Sequence, residues 1–186
     1  MIFCLVGKSG SGKDTLMNRL DYDKVVLYTT RDMREGEVEG REYHFVTDKE
    51  MEELDKQGKI LEKRSYDTVY GVKHYFTVDD EQLNKDVVFM ICSPGQYRAL
   101  KKKLGDRLVA ILMTMSNKDR LIRAIKRDNH GDDCRELCRR YLSDEEDFIG
   151  MDEEADYKID SSDCLGEQIL NEIHDIVKER GHRYES

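Results

Sequence analysis

The chain has no apolar run long enough to cross a bilayer, only a single proline and no low-complexity tract. A membrane-spanning helix needs about 20 consecutive apolar residues, so none is expected. Without a Pro-rich or Ser-rich stretch there is also no linker to tether separate domains. The start of the chain lacks a basic region, a long apolar segment and a cleavage site, so a cytoplasmic protein with no membrane partner is expected. Paired CxxC spacings are missing as well. The five cysteines, at 4, 92, 134, 138 and 164, are odd in number, which argues against a disulfide framework or zinc ribbon and for free thiols. None of the five histidines stands at metal-ligand spacing with another His or Cys, His130 and Cys134 coming nearest. Basic residues are in deficit. Lys and Arg total 31 against 40 Asp and Glu, a net charge of −9, which opposes non-specific binding to nucleic acid, and no nucleic-acid partner is expected.

What the chain does contain suits a single globular domain over residues 1–186, 38% hydrophobic and 38% charged. The most informative stretch is the apolar run Ile2 to Val6 followed by GKSGSGKDT at residues 7–15. Such a run reads as a buried strand, the glycines as a tight loop, and the residues from Thr15 as a helix. This is a phosphate-binding P-loop in its proper setting. Gly7, Gly10 and Gly12 let the backbone curl with its N–H groups inward, and Lys13 supplies a mobile charge for the β- and γ-phosphates. Gly7, Lys8, Ser9, Gly10, Ser11, Gly12, Lys13, Asp14 and Thr15 are therefore the expected nucleoside-triphosphate-binding residues. Asp14 stands where Ser or Thr usually offers Mg²⁺ a hydroxyl, so the expected metal site is Thr15, or Asp14 through a water.

Further along, Val25–Tyr28, Tyr43–Val46, Ile60–Lys63, Val69–Val72, Tyr75–Val78, Val87–Cys92, Leu108–Met115 and Tyr157–Ile159 read as strands. Helices are expected over Met51–Gln57, begun by Thr47 or Asp48 and stopped by Gly58, and over Gln96–Leu104 and Asn117–Lys126, the latter capped by Ser116. A polar loop at 128–133 leads to a helix carrying Arg135, Arg139 and Arg140, and Leu165, Ile169, Ile173, Ile176 and Val177 mark a closing amphipathic helix. Alternating strands and helices imply an α/β fold, a P-loop NTPase three-layer core with a parallel sheet, carrying an inserted α+β block. Lys8, Lys13, Arg31, Arg34, Arg127, Arg139 and Arg140 are candidates for a local positive pocket inside an acidic molecule.

The stretch TTRDMREGEVEGREYHF at 29–45 resembles the signature of guanylate kinases. Arg31, Arg34, Gly36, Glu37, Gly40, Tyr43 and Phe45 fall at the matching places, and Ile60-Leu61-Glu62 and Tyr70-Gly71 resemble two later elements. Two guanidinium forks and a phenol suit a monophosphate dianion, and a carboxylate at Glu62 suits the N1–H and N2–H₂ donors of guanine. The resemblance implies ATP on the loop at 7–15 and ATP-dependent phosphorylation of GMP or dGMP with Mg²⁺, in a monomer or homodimer. It implies a core at about 1–28, 81–126 and 149–186, a nucleoside-monophosphate lobe at about 29–80 and a lid at about 127–148. Lys13, Arg31, Arg127 and Arg140 would be catalytic, with Arg139 an alternative to Arg140. Arg31, Arg34, Tyr43, Glu62 and Tyr70 would bind GMP.

The chain departs from that pattern at Leu27 and Val72, where hydroxyls are usual, and at Met90 and Cys92, where acids are usual. The alternatives are a kinase of the same fold acting on another nucleoside monophosphate or a ribose phosphate, and a non-catalytic binding module.

Overall fold

The computed structural model describes residues 1–68, 71–127, 134–162 and 166–182. In chain order the elements are β1 (Ile2–Val6), α1 (Lys13–Arg19), β2 (Asp23–Lys24), β3 (Tyr28–Thr29), β4 (His44–Phe45), α2 (Asp48–Lys56), β5 (Ile60–Thr68) and β6 (Gly71–Val78). They continue with β7 (Val88–Cys92), α3 (Pro94–Leu104), β8 (Leu108–Thr114), α4 (Asn117–Arg127), α5 (Arg135–Asp147), α6 (Met151–Glu154), β9 (Tyr157–Asp160) and α7 (Glu167–His182). Among the described residues no helix is long and apolar enough to cross a membrane.

A parallel sheet in the order β2-β7-β1-β8-β9 forms the centre. β1 is buried along its whole length, which explains its unbroken apolar run. Its side chains alternate between two cores. Ile2, Cys4 and Val6 face Tyr97 and Leu100 of α3, while Phe3 and Leu5 face Leu16 and Met17 of α1 and Ile169 and Ile173 of α7. Val6 is level with Cys92 on one side and Leu112 on the other, so the loop after β1 leaves at the carboxyl edge of three adjacent strands. That edge is where open α/β sheets bind ligands.

A second sheet, ordered β4-β3-β6-β5, stands on its own small core of Met51, Ile60, Phe76 and Val78. α2 bounds it, started by a capping box in which Thr47 and Glu50 satisfy each other's backbone N–H groups, and released by Gly58 at φ 69°. Leu61 of β5 reaches into the core beside α3, and Lys103 Nζ donates to the Ile60 carbonyl at 3.0 Å, tying the second sheet to the first.

Several expectations change. No single strand forms over Val25–Tyr28: β2 ends at Lys24 in the parallel sheet, β3 begins at Tyr28 in the second, and Val25–Leu27 carry the chain from one sheet to the other. Ile60–Lys63, the Gly71–Val72 end of Val69–Val72, and Tyr75–Val78 join into one long hairpin, β5 with β6, whose stretch over residues 64–67 carries no hydrophobic alternation to announce it. α1 begins at Lys13 and α3 at Pro94, with Ser93 as its cap and proline in the first turn. Cys4 and Cys92 are not free: the structure pairs them as a disulfide across β1 and β7, with Cα atoms 6.0 Å apart. Parity and spacing could not reveal this, because it follows from the adjacency of two strands far apart in sequence. Cys134 and Cys138 are free and exposed. The expected features at Val69–Tyr70, 128–133 and Cys164–Leu165 lie outside the described residues.

Candidate active site

The loop between β1 and α1 depends on its glycines for two separate reasons. Gly10 and Gly12 have φ of 86° and 90°, a left-handed conformation that side chains resist. Space is the second reason: a Cβ on Gly7 would lie 2.6 Å from Ser11 Oγ, and one on Gly10 would lie 2.5 Å from the Arg120 carbonyl oxygen. The loop thus curls tightly against β8 and α4. Lys13 arches back over it, its Nζ donating to the Gly7 carbonyl at 2.6 Å and the Lys8 carbonyl at 3.2 Å. Asp14 and Thr15 follow, exposed in the first turn of α1.

Helix α5 meets this loop with acids. Asp144 Oδ2 accepts from the Ser9 amide at 2.7 Å, and Glu145 pairs with Lys8 Nζ at 2.8 Å. Between them lies Arg120 of α4, 1% exposed, which donates to Asp144 at 2.9 Å and to Glu145 at 2.7 Å. Its guanidinium also sits 4.3 Å from the centroid of the Tyr141 ring. A buried cation thus holds two acids that also bind the loop. Arg139 and Arg140 are exposed on the same helix and both have partners. The side chain of Arg127 and all of Tyr70 lie outside the described residues.

A cavity of about 790 Å³ opens between α1 and the second sheet. Asp14, Met17 and Asn18 border it on one side, Tyr43, Arg64, Tyr66 and Tyr75 on the other, with Val25, Leu27 and Met90 between. Burial pushes the Tyr43 phenol above its ordinary pKa, which keeps it a hydrogen-bond donor at neutral pH.

Arg31 lies behind Tyr43, its guanidinium 5.5 Å from the centroids of both the Tyr43 and Phe45 rings. Its two terminal nitrogens bind the Glu37 carboxylate at 2.9 and 2.8 Å. The hydrogen bonds from Arg31, and then the Arg34 amide, pull the Glu37 carboxyl down to about 2. Gly36 at φ 84° makes the turn that brings the carboxylate back onto Arg31. The Arg34 residue is exposed and does not line the cavity.

Glu62 is 7% exposed and does not line the cavity either. Its Oε1 accepts from the Thr77 hydroxyl at 3.0 Å, and its Oε2 lies 3.3 Å from Arg64 Nε. The structure therefore brings together Gly7–Thr15, Tyr43 and, one layer back, Arg31 and Glu62. Sequence reasoning missed Arg64, Arg120, Asp144 and Glu145. Period-two alternation on β5 would have placed Arg64 on the face of Glu62, whereas no local signal marks the Arg120 cluster.

The family model for guanylate kinase matches residues 2–180. A guanylate kinase of Campylobacter jejuni is 36% identical over 135 residues, covering 68% of this chain, and the match spans 65% of that relative's length. A guanylate kinase of Rickettsia felis is 31% identical over 183 residues, covering 95% of this chain and 92% of the relative. The crystal structure of guanylate kinase from Anaplasma phagocytophilum shares the fold, with a TM-score of 0.65 at 19% identity over 97% of this chain and 86% of that one.

Proposed function

The chain belongs to the guanylate kinase family, and from that premise we propose that it moves the γ-phosphoryl group of ATP onto GMP or dGMP, releasing ADP and the nucleoside diphosphate. One observation carries the reading. Asp14, the residue after the loop lysine, borders the same cavity as Tyr43, Arg64 and Tyr75, so donor loop and acceptor wall open onto one space. In-line transfer requires such a shared space.

The acceptor phosphate is already ionised, so no general base is needed, and the work is alignment and charge neutralisation. Lys13 is held by carbonyls of its own loop and swings to the β- and γ-phosphates. Tyr43 donates its phenol to the acceptor phosphate, while Glu37 keeps the Arg31 fork oriented beside it. The lid expected over about 127–148 would supply Arg127 and Arg140 to the phosphates, and the α5 part of it is already seated on the loop through Asp144 and Glu145. Among the described residues no group of three or more His, Cys, Asp or Glu could hold a metal alone, a pattern that suits a cation carried in on substrate phosphates. Asp14 and Thr15 offer the remaining oxygen ligands, and bound Mg²⁺ would neutralise charge on the transferring group.

The apolar stretch of Val25, Leu27 and Met90 in the acceptor cavity keeps a second reading open, a kinase for another nucleoside monophosphate or a sugar phosphate. A coupled ADP-release assay over GMP, dGMP, AMP, CMP, UMP and ribose 5-phosphate decides between them. GMP or dGMP should show the highest kcat/KM, and turnover of any other acceptor without either of these would overturn the proposal. In the same assay Lys13→Ala should lose about 10²-fold or more in kcat while keeping its Tm.

A further inference from the structure

We propose that Arg64 is a specificity-determining residue of the acceptor site, donating from its guanidinium to O6 of the guanine base while Glu62 takes the neighbouring N1–H and 2-amino donors. This rests on the function proposed above and adds a reader to it.

The strand geometry sets the arrangement. Beyond the irregularity between Ile60 and Glu62, β5 pairs in regular antiparallel fashion, with Arg64 opposite Tyr75. Glu62, Arg64 and Tyr66 project from one face, in a row that runs from the buried interior to the cavity mouth. Arg64 and Tyr66 line the cavity, and Glu62 does not. The Glu62 side chain is 3% exposed and that of Arg64 28% exposed. An entering base therefore meets the guanidinium before it meets the carboxylate.

The hydrogen-bond accounting agrees. Glu62 Oε1 is satisfied by Thr77, and Oε2 faces Arg64 Nε at 3.3 Å, too poorly aligned to count as a hydrogen bond, which leaves that buried nitrogen without a partner. Among the described residues Glu62 is the one ionic partner of Arg64, so the terminal donors of its fork are left for a ligand. The neighbouring cavity residues Val25, Leu27 and Met90 have no side-chain donor to offer. Guanine presents an acceptor, O6, directly beside a donor, N1–H, and arginine is its commonest specific partner through O6 and N7. A carboxylate and a guanidinium side by side complement that edge. Adenine carries an amino group at the position of O6 and would set donor against donor, a mismatch that leaves buried polar groups unpaired.

The test uses the full chain, with GMP, 6-thio-GMP and IMP as acceptors. Sulfur is a poor acceptor, so 6-thio-GMP removes the contact to Arg64. IMP keeps O6 and lacks the 2-amino group that Glu62 would read. In the wild-type protein the KM for 6-thio-GMP should exceed that for GMP by roughly tenfold or more, the scale of a hydrogen bond to a charged group. In Arg64→Ala the KM for GMP should rise by a similar factor, the two acceptors should come to parity, and the GMP to IMP ratio should persist. Arg64→Lys, a point charge without the fork, should fall between. Melting temperatures check that each variant folds, and the wild-type comparison stands even if Arg64→Ala does not.

Equal use of GMP and 6-thio-GMP by the wild type, or a ratio that survives in both variants, would overturn the role of Arg64 while leaving guanylate kinase activity in place. Collapse of the GMP to IMP ratio with the sulfur ratio unchanged would overturn it too, by showing that Arg64 only positions Glu62. Failure of the wild type to phosphorylate GMP or dGMP would bring down the proposed function, and this inference with it.

Discussion

Glu37 takes three donors, both terminal nitrogens of Arg31 and the amide of Arg34. Its carboxyl, drawn down to about 2, is deprotonated more readily in the folded protein than in the unfolded chain, where about 4.3 is usual. The clamp therefore contributes stability fully above about pH 4.3 and loses it as the pH falls through about 2. A carbon-detected NMR titration of the Glu37 side chain should give a midpoint below 3, and a midpoint near the ordinary value would mean that the clamp does not persist in solution. At this scale much of the site was legible in sequence. The loop glycines, Lys13, Arg31 and Tyr43 announce themselves by type and spacing. Strand alternation puts Arg64 and Glu62 on one face, but the 3.3 Å approach of the two side chains was not legible, because it depends on how the folded strand places side chains that sequence only orders.

Helices α4 and α5 are joined through one side chain. Arg120 is buried and holds Asp144, whose side chain is 14% exposed, whereas Lys8 and Glu145 are 27% and 40% exposed. These two pairings should differ in worth. Removing one partner from a buried pair typically costs about 3–5 kcal/mol, while an exposed pair contributes about 1 kcal/mol or less. Urea unfolding should thus show Arg120→Met destabilised by about 3 kcal/mol or more and Lys8→Met, which leaves Glu145 paired with Arg120, by about 1 kcal/mol or less. Equal small losses would mean that α5 is not anchored on the loop through Arg120. The helices themselves were largely legible from caps and periodicity, as Thr47 with Glu50 and Ser116 with Asp119 show. The stretch of β5 over residues 64–67 was not, since only Tyr66 interrupts its polar run and it owes its strand form to cross-strand pairing.

Over the whole molecule, near and distant pairings are divided unevenly. The hairpin of the second sheet closes between Thr68 and Gly71, whereas Cys4 in the middle of β1 pairs with Met90 and Ala110. Closing a loop of that length carries an entropic cost that the hairpin avoids. Pulse-labelled hydrogen exchange should find the Arg64 and Phe76 amides protected before that of Cys4, and simultaneous protection would argue for one concerted step. The same topology bears on synthesis. On the ribosome, the wholly apolar strand Ile2–Val6 emerges long before both of its neighbours, β7 and β8, so the nascent chain carries an unpaired sticky segment until β7 is made. Chains arrested short of β7 should be protease-sensitive and bound by chaperones, and the nucleotide-binding loop, though made before the second sheet, takes its shape only after the acceptor side has already folded.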